Sequence, residues 1–545
     1  MARPGSASRG TGWPPSTAMR PAPFRKVHKG RLNAAAIDPH AEPAAPPLWR
    51  PPQGRGRISG LPSKAAAIRP DRYWRSSTRR GRDAEVPGGS QQMTPPLPQA
   101  VNEALDQACR TALHEKSFAV GLSMAVTDRD GILASGAFGH ADLAAALPTA
   151  EDTLFQIGSI SKGLTAALLL RARDAGLVDL DKPVTEYLPW FSVRSAHAPI
   201  TVRHLMSHTA GIIAGTDVSG DSAFEVWALR DTEATTPPGT WFHYSNSGYK
   251  ALGLVLEAIC QRPYQELLGD FLAELGMSAA VPAITHEIRT RSAVGYLPRY
   301  DDRVPVREDG VVPATWLETA TADGSVASTA RDMTGWLRVL MGNGSAALSK
   351  EALTDLTSPE IRIEGEDFSY GLGMIIGEFD GRPHVWHTGG MIGYFAALAY
   401  DVDAGIGAVV LANGMGPWQE TVVHLIAATR AARSGDPVPE FALPERKPPM
   451  LPTPDDPPAH WAEVVGHYRC HNPWLSNLHV YAHDNRLWAS IAGGPPNELV
   501  PLPDGSFRVG EDERLPERLK FDVVLNGVAV RADYCGCPLY RTFTP

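Results

Sequence analysis

Hydrophobic and polar positions along the chain follow two different periods, and each period predicts one kind of secondary structure. Over residues 101–113 apolar side chains recur at helical spacing, which predicts an amphipathic helix. In Gly121–Thr127 and Ile132–Phe138 they alternate instead, and Asp130-Gly131 between these segments favours a tight turn, so we predict a β-hairpin. The apolar run in Ser159–Ala172 predicts a buried helix.

Beyond these elements the chain shows helical stripes first and strand-like alternation afterwards. Helices are predicted over Ser247–Cys260 and Ala330–Met341, and a last one over Gln419–Ala432. The predicted strands, separated by Gly- or Asp-bearing turns, are Tyr370–Gly377, Val385–Thr388, Tyr394–Val402 and Gly405–Ala412. Early and late strands with helices between them predict an α+β fold, in which one antiparallel sheet takes strands from both ends of the chain.

Composition divides the chain into four parts. Residues 1–92 are rich in Pro, Arg, Ala, Gly and Ser and have no sustained period, so we expect a disordered basic leader. Two interpretations of the leader stay open: a tail that binds acidic surfaces, or a segment included through an early start codon. Residues 93–435 form the main folded domain, and 436–458 form a proline-rich linker. Short alternating runs in 459–545 predict a small all-β barrel or sandwich.

The charge distribution limits the partners of the folded part. The whole chain carries a net charge of −9, but residues 1–92 contain 17 Lys/Arg against 5 Asp/Glu. The remainder is therefore strongly acidic, which argues against nucleic acid as a partner. No apolar run approaches the roughly 20 residues that cross a bilayer, so we expect no membrane segment. Since no secretory signal is recognisable, we predict a cytoplasmic location.

The five cysteines match neither the spacing of a zinc site nor a disulfide framework, so a reduced compartment is the simplest interpretation. Cys535 and Cys537 could form a redox pair, but two unpaired thiols at the surface or on a strand are the simpler interpretation. The chain has no His-Glu-x-x-His segment and no nucleotide-binding loop. We therefore predict no metal and no cofactor.

Ser159 and Lys162 lie three residues apart at the start of a predicted helix, so their side chains share one face. Gly158 permits close approach of another backbone segment, and the helix N-terminus brings free N–H groups near the serine hydroxyl. A lysine buried beside that positive end can accept a proton from the serine, which is how a serine nucleophile is activated. The alternative makes Ser159 or Ser161 a helix cap and Lys162 a solvated charge.

Tyr244 and Asn246 precede the helix predicted over Ser247–Cys260 and lie two residues apart, so both side chains can face one cleft. A tyrosine beside a lysine ammonium ionises more easily and can act as general base for the serine, then as acid for the leaving group. Asn246 offers a donor to a substrate carbonyl and an acceptor to Lys162. The alternative is a helix-capping asparagine beside a packed tyrosine.

The segment His387-Thr388-Gly389-Gly390 ends a predicted strand, and its glycines allow a substrate to lie close to the backbone. The N–H groups of Gly390 and Ser159 together could form an oxyanion hole. We expect His387 to lie near Tyr244 and to influence its ionisation. The alternative is a glycine turn beside a histidine with no role.

In this order the motifs resemble those of the serine β-lactamase-related hydrolases, which include class C β-lactamases, DD-peptidases, esterases and D-aminopeptidases. The resemblance covers about residues 100–432. Its further segments are Leu154–Gly158, Leu205-Met206-Ser207-His208-Thr209-Ala210-Gly211, Pro238-Gly239 and Ala327-Ser328-Thr329-Ala330-Arg331-Asp332. It implies a β-lactamase/DD-peptidase-like fold, in which an antiparallel sheet flanked by helices lies beside a helical subdomain and the site lies between them.

The resemblance also implies roles for individual residues. Ser159 is the nucleophile, Lys162 its activator and Tyr244 the general base. Asn246 contacts the substrate, and His387 with Gly389 and Gly390 supplies the third motif. The segment around His208 is a structural turn in the family, and the C-terminal β domain resembles an accessory domain that usually carries no catalytic residue.

Two positions depart from the pattern of β-lactamases and DD-peptidases. Their third motif normally begins with a lysine that binds the substrate carboxylate, whereas this chain has His387, as in D-aminopeptidases and many esterases of the family. A histidine is mostly neutral at pH 7, so it is a weaker anchor for an anionic β-lactam. Asp323 replaces a residue that is small in relatives; it either binds an amine of the substrate or lies at the surface.

The sequence therefore predicts a serine hydrolase that forms an acyl-enzyme on a small ester, amide or peptide-like substrate. The first alternative is a true β-lactamase or DD-peptidase. The alternative of another class is a non-catalytic binding or scaffold protein of the same fold. An α/β-hydrolase is disfavoured because the chain has no Gly-x-Ser-x-Gly elbow.

Overall fold

The described residues of the computed structural model are 97–217, 219–342, 347–443, 453–491 and 494–542. The leader predicted over 1–92 lies outside them. In the described residues the α-helices are α1 (Gln99–Glu115), α2 (Ser161–Asp174), α3 (Val202–Met206), α4 (Ser222–Ala228), α5 (Asn246–Cys260), α6 (Tyr264–Glu274), α7 (Ala330–Leu340), α8 (Lys350–Leu356) and α9 (Trp418–Ser434).

The strands of the main domain form one large sheet and several short pairs. The first strands are β1 (Gly121–Asp128), β2 (Ile132–Asp142), β3 (Leu147–Pro148), β4 (Phe155–Gln156), β5 (Arg194–Ser195), β6 (Glu233–Ala234), β7 (Tyr296–Pro298), β8 (Val311–Pro313) and β9 (Ala327–Ser328). The later strands are β10 (Ile361–Arg362), β11 (Ser369–Tyr370), β12 (Ile375–Phe379), β13 (Arg382–Met391), β14 (Tyr394–Asp401) and β15 (Ile406–Ala412).

The large sheet has nine strands in the order β10-β11-β12-β13-β14-β15-β1-β2-β3, and its neighbouring strands are antiparallel. The N-terminal hairpin β1–β2 pairs with β15 over a register that runs from Leu122↔Ala412 to Asp128↔Ile406. This confirms the predicted α+β fold with a sheet that takes strands from both ends of the chain.

Both faces of the sheet are covered, which explains why every residue of β1 is buried. Successive side chains of a strand point to opposite faces. Leu122 and Met124 therefore enter an apolar cluster with α1 and α9, while Ala125 joins the larger cluster that contains α2, α5, α6 and α7. The larger cluster belongs to the helical layer. The functional segments described below lie between this layer and β13.

The prediction of one continuous strand over Tyr370–Gly377 is wrong, because the structure has two strands there, β11 and β12. Gly373 between them has φ +102°, a left-handed conformation that breaks an extended segment and favours glycine. The predicted helices and the other strands occur within a few residues of their expected bounds.

The C-terminal part forms a closed barrel of eight strands, so of the two predicted architectures the barrel is confirmed. Its strands are β16 (Gly466–Arg469), β17 (Asn477–His483), β18 (Arg486–Ile491), β19 (Asn497–Pro501), β20 (Phe507–Val509), β21 (Arg518–Leu525), β22 (Val528–Tyr534) and β23 (Cys537–Arg541). A separate apolar cluster fills it. Among the described residues, no helix combines the length and the hydrophobicity that a membrane span requires.

Candidate active site

Ser159 lies in a single 3₁₀ turn, Gly158–Ile160, and α2 begins two residues later at Ser161. Lys162 is therefore in the first turn of α2, and its side chain is fully buried. Its Nζ donates a hydrogen bond of 3.0 Å to Ser159 Oγ and one of 2.7 Å to the carbonyl oxygen of Asp323. The interpretation of Lys162 as a solvated charge is excluded, and the predicted serine–lysine contact is present.

The glycines of β13 press against the turn that holds Ser159. Gly158 has φ +53°, and a Cβ on it would lie 2.6 Å from the backbone nitrogen of Gly390. A Cβ on Gly389 would lie 1.9 Å from the carbonyl oxygen of Ile157. Side chains at either position would force the two segments apart. The glycines therefore allow the backbone segments of Ser159 and Gly390 to lie close together, as an oxyanion hole requires.

Tyr244 lies over the buried lysine. Lys162 Nζ is 4.9 Å from the centroid of the Tyr244 ring, and the tyrosine is partly exposed. An ammonium at this distance from an aromatic face is attracted by the ring. The structure thus brings together the three side chains whose convergence the sequence predicted: Ser159, Lys162 and Tyr244.

His208 fixes the segment that carries Tyr244. Its carbonyl accepts from the N–H of His243 at 2.8 Å, and its Nδ1 accepts from the N–H of Ser245 at 2.9 Å. Its ring packs on Tyr244 with centroids 4.1 Å apart. Burial, reinforced by Lys162, holds the pKa of His208 well below its usual range, so the ring is neutral. The residue has φ +57°, in agreement with the turn that the resemblance implied.

Asn246 is the first residue of α5, and the helix cap is Ser245, whose Oγ accepts from Gly248 N–H at 3.0 Å. The expectation that Asn246 accepts from Lys162 is wrong, because the described hydrogen bonds of Lys162 go to Ser159 and Asp323. Asn246 Nδ2 instead donates to Asp217 Oδ2 at 3.5 Å, and its Oδ1 is buried without a hydrogen-bond partner among the described residues.

His387 is buried beside Tyr370, whose ring centroid lies 6.4 Å from that of Tyr244. Its hydrogen bonds join Nδ1 to the carbonyl of Thr388 and Nε2 to the hydroxyl of Tyr370 at 3.2 Å, rather than to Tyr244. Because a carbonyl only accepts, Nδ1 carries the proton and Nε2 accepts from Tyr370. Burial, together with the charge of Lys162, lowers the pKa of His387 to about 4. The histidine is therefore neutral at pH 7, as the sequence predicted.

Asp323 is not a surface residue, which corrects one of the two interpretations of it. It is 8 % exposed and lies beside α5 and the buried Lys250. Lys250 Nζ contacts Asp217 Oδ1 at 2.5 Å and Glu225 Oε2 at 3.9 Å. Two carboxyl groups thus lie within 4 Å of the Lys250 ammonium, and the carboxyl group of Asp323 lies near it.

A cavity of about 870 Å³ opens at Ser159 and is lined by both domains. The main domain contributes Ser159, Asn246, Asp323 and Gly390, and the barrel contributes residues of two segments, 469–474 and 537–542. Sequence reasoning missed this contribution, because the resemblance assigned the barrel no part in the site.

The barrel also reaches the tyrosine–asparagine segment through Glu517. This residue is 7 % exposed, and its Oε1 accepts from the N–H of Ala214 and pairs with His243 Nε2, both at 2.9 Å. Burial acts to raise the pKa of Glu517, but the His243 and Ala214 hydrogen bonds outweigh it and lower the pKa. The carbonyl of Ala214 in turn accepts from Asn246 N–H at 2.7 Å. Glu517 therefore fixes the residues on both sides of Tyr244, His243 directly and Asn246 through Ala214.

We predict that Glu517→Ala lowers kcat about 10- to 100-fold, because it leaves two part-buried donors without an acceptor, at a cost of about 1–3 kcal/mol. Glu517→Gln should lose less, since its amide oxygen still accepts from Ala214. The matched control is Glu513→Ala, an exposed glutamate near it in the chain. The rates are measured on a chromogenic ester well below the melting temperature of each variant. Equal kcat in Glu517→Ala and Glu513→Ala would contradict this positioning role.

The described cysteines are all unpaired. Cys535 lies in the turn between β22 and β23, and Cys537 is buried on β23. Burial raises the pKa of each thiol to about 12, so neither forms the thiolate that redox exchange needs. In the described residues, the one group with metal-binding spacing is Asp455, His483 and Asp484 on the barrel, where both aspartates are exposed.

The chain is similar to known proteins over its main domain. Residues 107–433 match the family model described as Beta-lactamase. Penicillin-binding protein 4 of Amycolatopsis lactamdurans is 29% identical over 300 residues, which cover 52% of this chain and 77% of that protein. The octameric penicillin-binding protein homologue from Pyrococcus abyssi aligns with a TM-score of 0.55 and 22% identity, over 80% of this chain and 99% of that chain. A D-stereospecific amidohydrolase from Streptomyces aligns with a TM-score of 0.50 and 24% identity, over 60% and 98% of the two chains.

Proposed function

Because the chain belongs to the Beta-lactamase family, we propose that it is a serine hydrolase that forms an acyl-enzyme on a small ester or amide. The observation that carries the proposal is the 3.0 Å contact between Lys162 Nζ and Ser159 Oγ at the wall of a cavity. A buried ammonium against a serine hydroxyl stabilises the alkoxide and thereby activates the nucleophile.

In the proposed mechanism Tyr244 takes the proton of Ser159 as the serine oxygen attacks the substrate carbonyl. The negative charge that develops on the carbonyl oxygen is stabilised by the N–H groups of Ser159 and Gly390. Collapse of the tetrahedral intermediate breaks the bond to the leaving group, which receives its proton from Tyr244. Water then attacks the acyl-enzyme by the same route in reverse, and the acid is released with Ser159 restored.

The choice of an ester or small amide over a β-lactam rests on the third motif. His387 is neutral and accepts a hydrogen bond from Tyr370, so it supplies no fixed positive charge to a substrate carboxylate. We propose that Asn246 and the β13 backbone contact the acyl part instead. A β-lactamase or DD-peptidase activity is an outcome that the following experiment distinguishes.

The test compares turnover of p-nitrophenyl acetate and butyrate, nitrocefin and an alanyl p-nitroanilide by the purified protein, followed by mass spectrometry of the trapped adduct. We expect ester turnover to exceed nitrocefin turnover by at least tenfold, with the added acyl mass on the peptide that contains Ser159. Comparable nitrocefin turnover would favour a β-lactamase. Absence of turnover and of any adduct would favour a non-catalytic protein of this fold.

A further inference from the structure

Two buried oxygen atoms lie at the cavity beside Ser159 and lack hydrogen-bond donors. Asp323 Oδ1 and Asn246 Oδ1 are both inaccessible and have no hydrogen-bond partner among the described residues. Buried acceptors without a partner are uncommon in proteins, and each costs on the order of 1–3 kcal/mol. Both residues line the cavity that contains Ser159. A ligand that brings N–H donors to this place would satisfy them.

The orientation of Asn246 is set by its neighbours. Its Nδ2 faces Asp217, with which it makes a 3.5 Å hydrogen bond, so Oδ1 is the atom left for a ligand. Asp323 is fixed through its backbone, because its carbonyl oxygen accepts from Lys162 Nζ at 2.7 Å. The same ammonium contacts Ser159, so Asp323 lies directly beside the nucleophile.

The charges around this place favour a cation. The carboxyl groups of Asp217, Glu225 and Asp323 all lie near the ammonium group of Lys250, so negative charge exceeds positive charge in this group. Lys250 binds Asp217 and lies 3.9 Å from Glu225, whereas no ion pair within 4 Å involves Asp323 among the described residues.

The two barrel arginines that line the cavity make their described hydrogen bonds to groups other than the Asp323 carboxylate. Arg469 forms a two-point ion pair with Asp301, with both N–O distances 2.8 Å. Arg541 donates to the carbonyl of Glu463 at 3.1 Å. Although both arginines line the cavity, their described hydrogen bonds go elsewhere.

We infer that Asp323 and Asn246 form a subsite for a protonated amine on the acyl part of the substrate; this inference rests on the proposed function. We place the amine on the acyl part because Asp323 and Asn246 line the same cavity as Ser159 and Gly390, the residues proposed to hold the acyl carbonyl. The substrate class is therefore an aminoacyl ester or amide. An ammonium donates to both oxygens, and Asp323 balances its charge.

The test compares alanine methyl ester, in both enantiomers, with methyl propionate, which differs only by the ammonium group. The kcat/KM values are measured by base titration at constant pH. We expect the wild-type protein to prefer one alanine ester at least tenfold over methyl propionate. Asp323→Asn keeps the shape and removes the charge, and it should lower this ratio about 10- to 100-fold, since hydrogen bonds to charged groups are strong.

The matched control is Glu318→Gln, which removes an exposed carboxylate at the same cavity. An equal fall of the ratio in this variant would indicate a diffuse charge effect and would overturn the subsite. Folding of each variant is checked by fluorophosphonate labelling of Ser159. If methyl propionate is hydrolysed and Asp323→Asn leaves the ratio of kcat/KM values unchanged, the subsite is refuted but the proposed function is not. A wild-type protein that is neither labelled nor active on any of the esters refutes the proposed function as well.

Discussion

Replacing Ser159 with alanine is expected to abolish both ester hydrolysis and labelling by a fluorophosphonate. Lys162 Nζ contacts the Ser159 hydroxyl at 3.0 Å, and the oxygen of this hydroxyl would carry the acyl group. The alanine side chain has no oxygen that can replace it. Loss of a nucleophile of this kind lowers kcat by about 10⁴-fold or more. The assays are steady-state hydrolysis of p-nitrophenyl butyrate and intact-mass measurement after labelling.

Ser161→Ala provides the matched control, because Ser161 lies in the same motif and is buried. Its Oγ accepts from the N–H of Val326 at 3.3 Å, whereas the described hydrogen bonds of Lys162 go to Ser159 and Asp323. This variant should still be labelled and should keep most of its activity. Full activity in Ser159→Ala, or loss of labelling in Ser161→Ala with labelling retained in Ser159→Ala, would assign the nucleophile elsewhere.

Replacing Tyr244 with phenylalanine is expected to slow acylation by about 10²- to 10⁴-fold, the usual contribution of a general acid–base group. The change removes only the phenolic oxygen. The ring contacts with Lys162 and His208 are made by carbon atoms, so the fold of the segment should persist. Stopped-flow measurement of the first turnover separates acylation from deacylation.

Tyr249→Phe is the control for this change. Tyr249 also lies near Lys162, with Nζ 5.6 Å from its ring centroid, but its hydroxyl donates to the carbonyl of Met206 at 2.7 Å. Its loss should affect the melting temperature more than the acylation rate. An acylation rate in Tyr244→Phe within twofold of the wild-type value would remove Tyr244 from the proposed chemistry.

The parts of the site that sequence predicted are those written in short motifs. Ser159 and Lys162 meet because helical spacing brings residues three apart together, and Gly389 and Gly390 are needed wherever two backbones touch. The fold could equally be predicted from periodicity, because apolar residues have a different spacing in a buried strand and in an amphipathic helix.

The parts that sequence did not predict depend on how distant segments pack. Glu517 reaches Ala214 across 303 positions of the chain, and no local pattern marks it. Asp323 lies in a loop whose hydrophobic pattern does not distinguish a buried carboxylate from an exposed one. Its carbonyl contact with Lys162 spans 161 positions. The hydrogen bond between His387 Nε2 and Tyr370 of β11 is likewise marked by no local pattern.

The pairing of β1 with β15 places a demand on biosynthesis. The bond from Gly121 N–H to Asn413 Oδ1 at the end of this pair spans 292 positions, and contacts of such high order make folding slow. Until residue 412 has left the ribosome, the N-terminal hairpin has one bare edge, and such edges promote aggregation. Substitutions in β15 should therefore reduce the yield of native protein from translation more than they change the properties of molecules that have already matured.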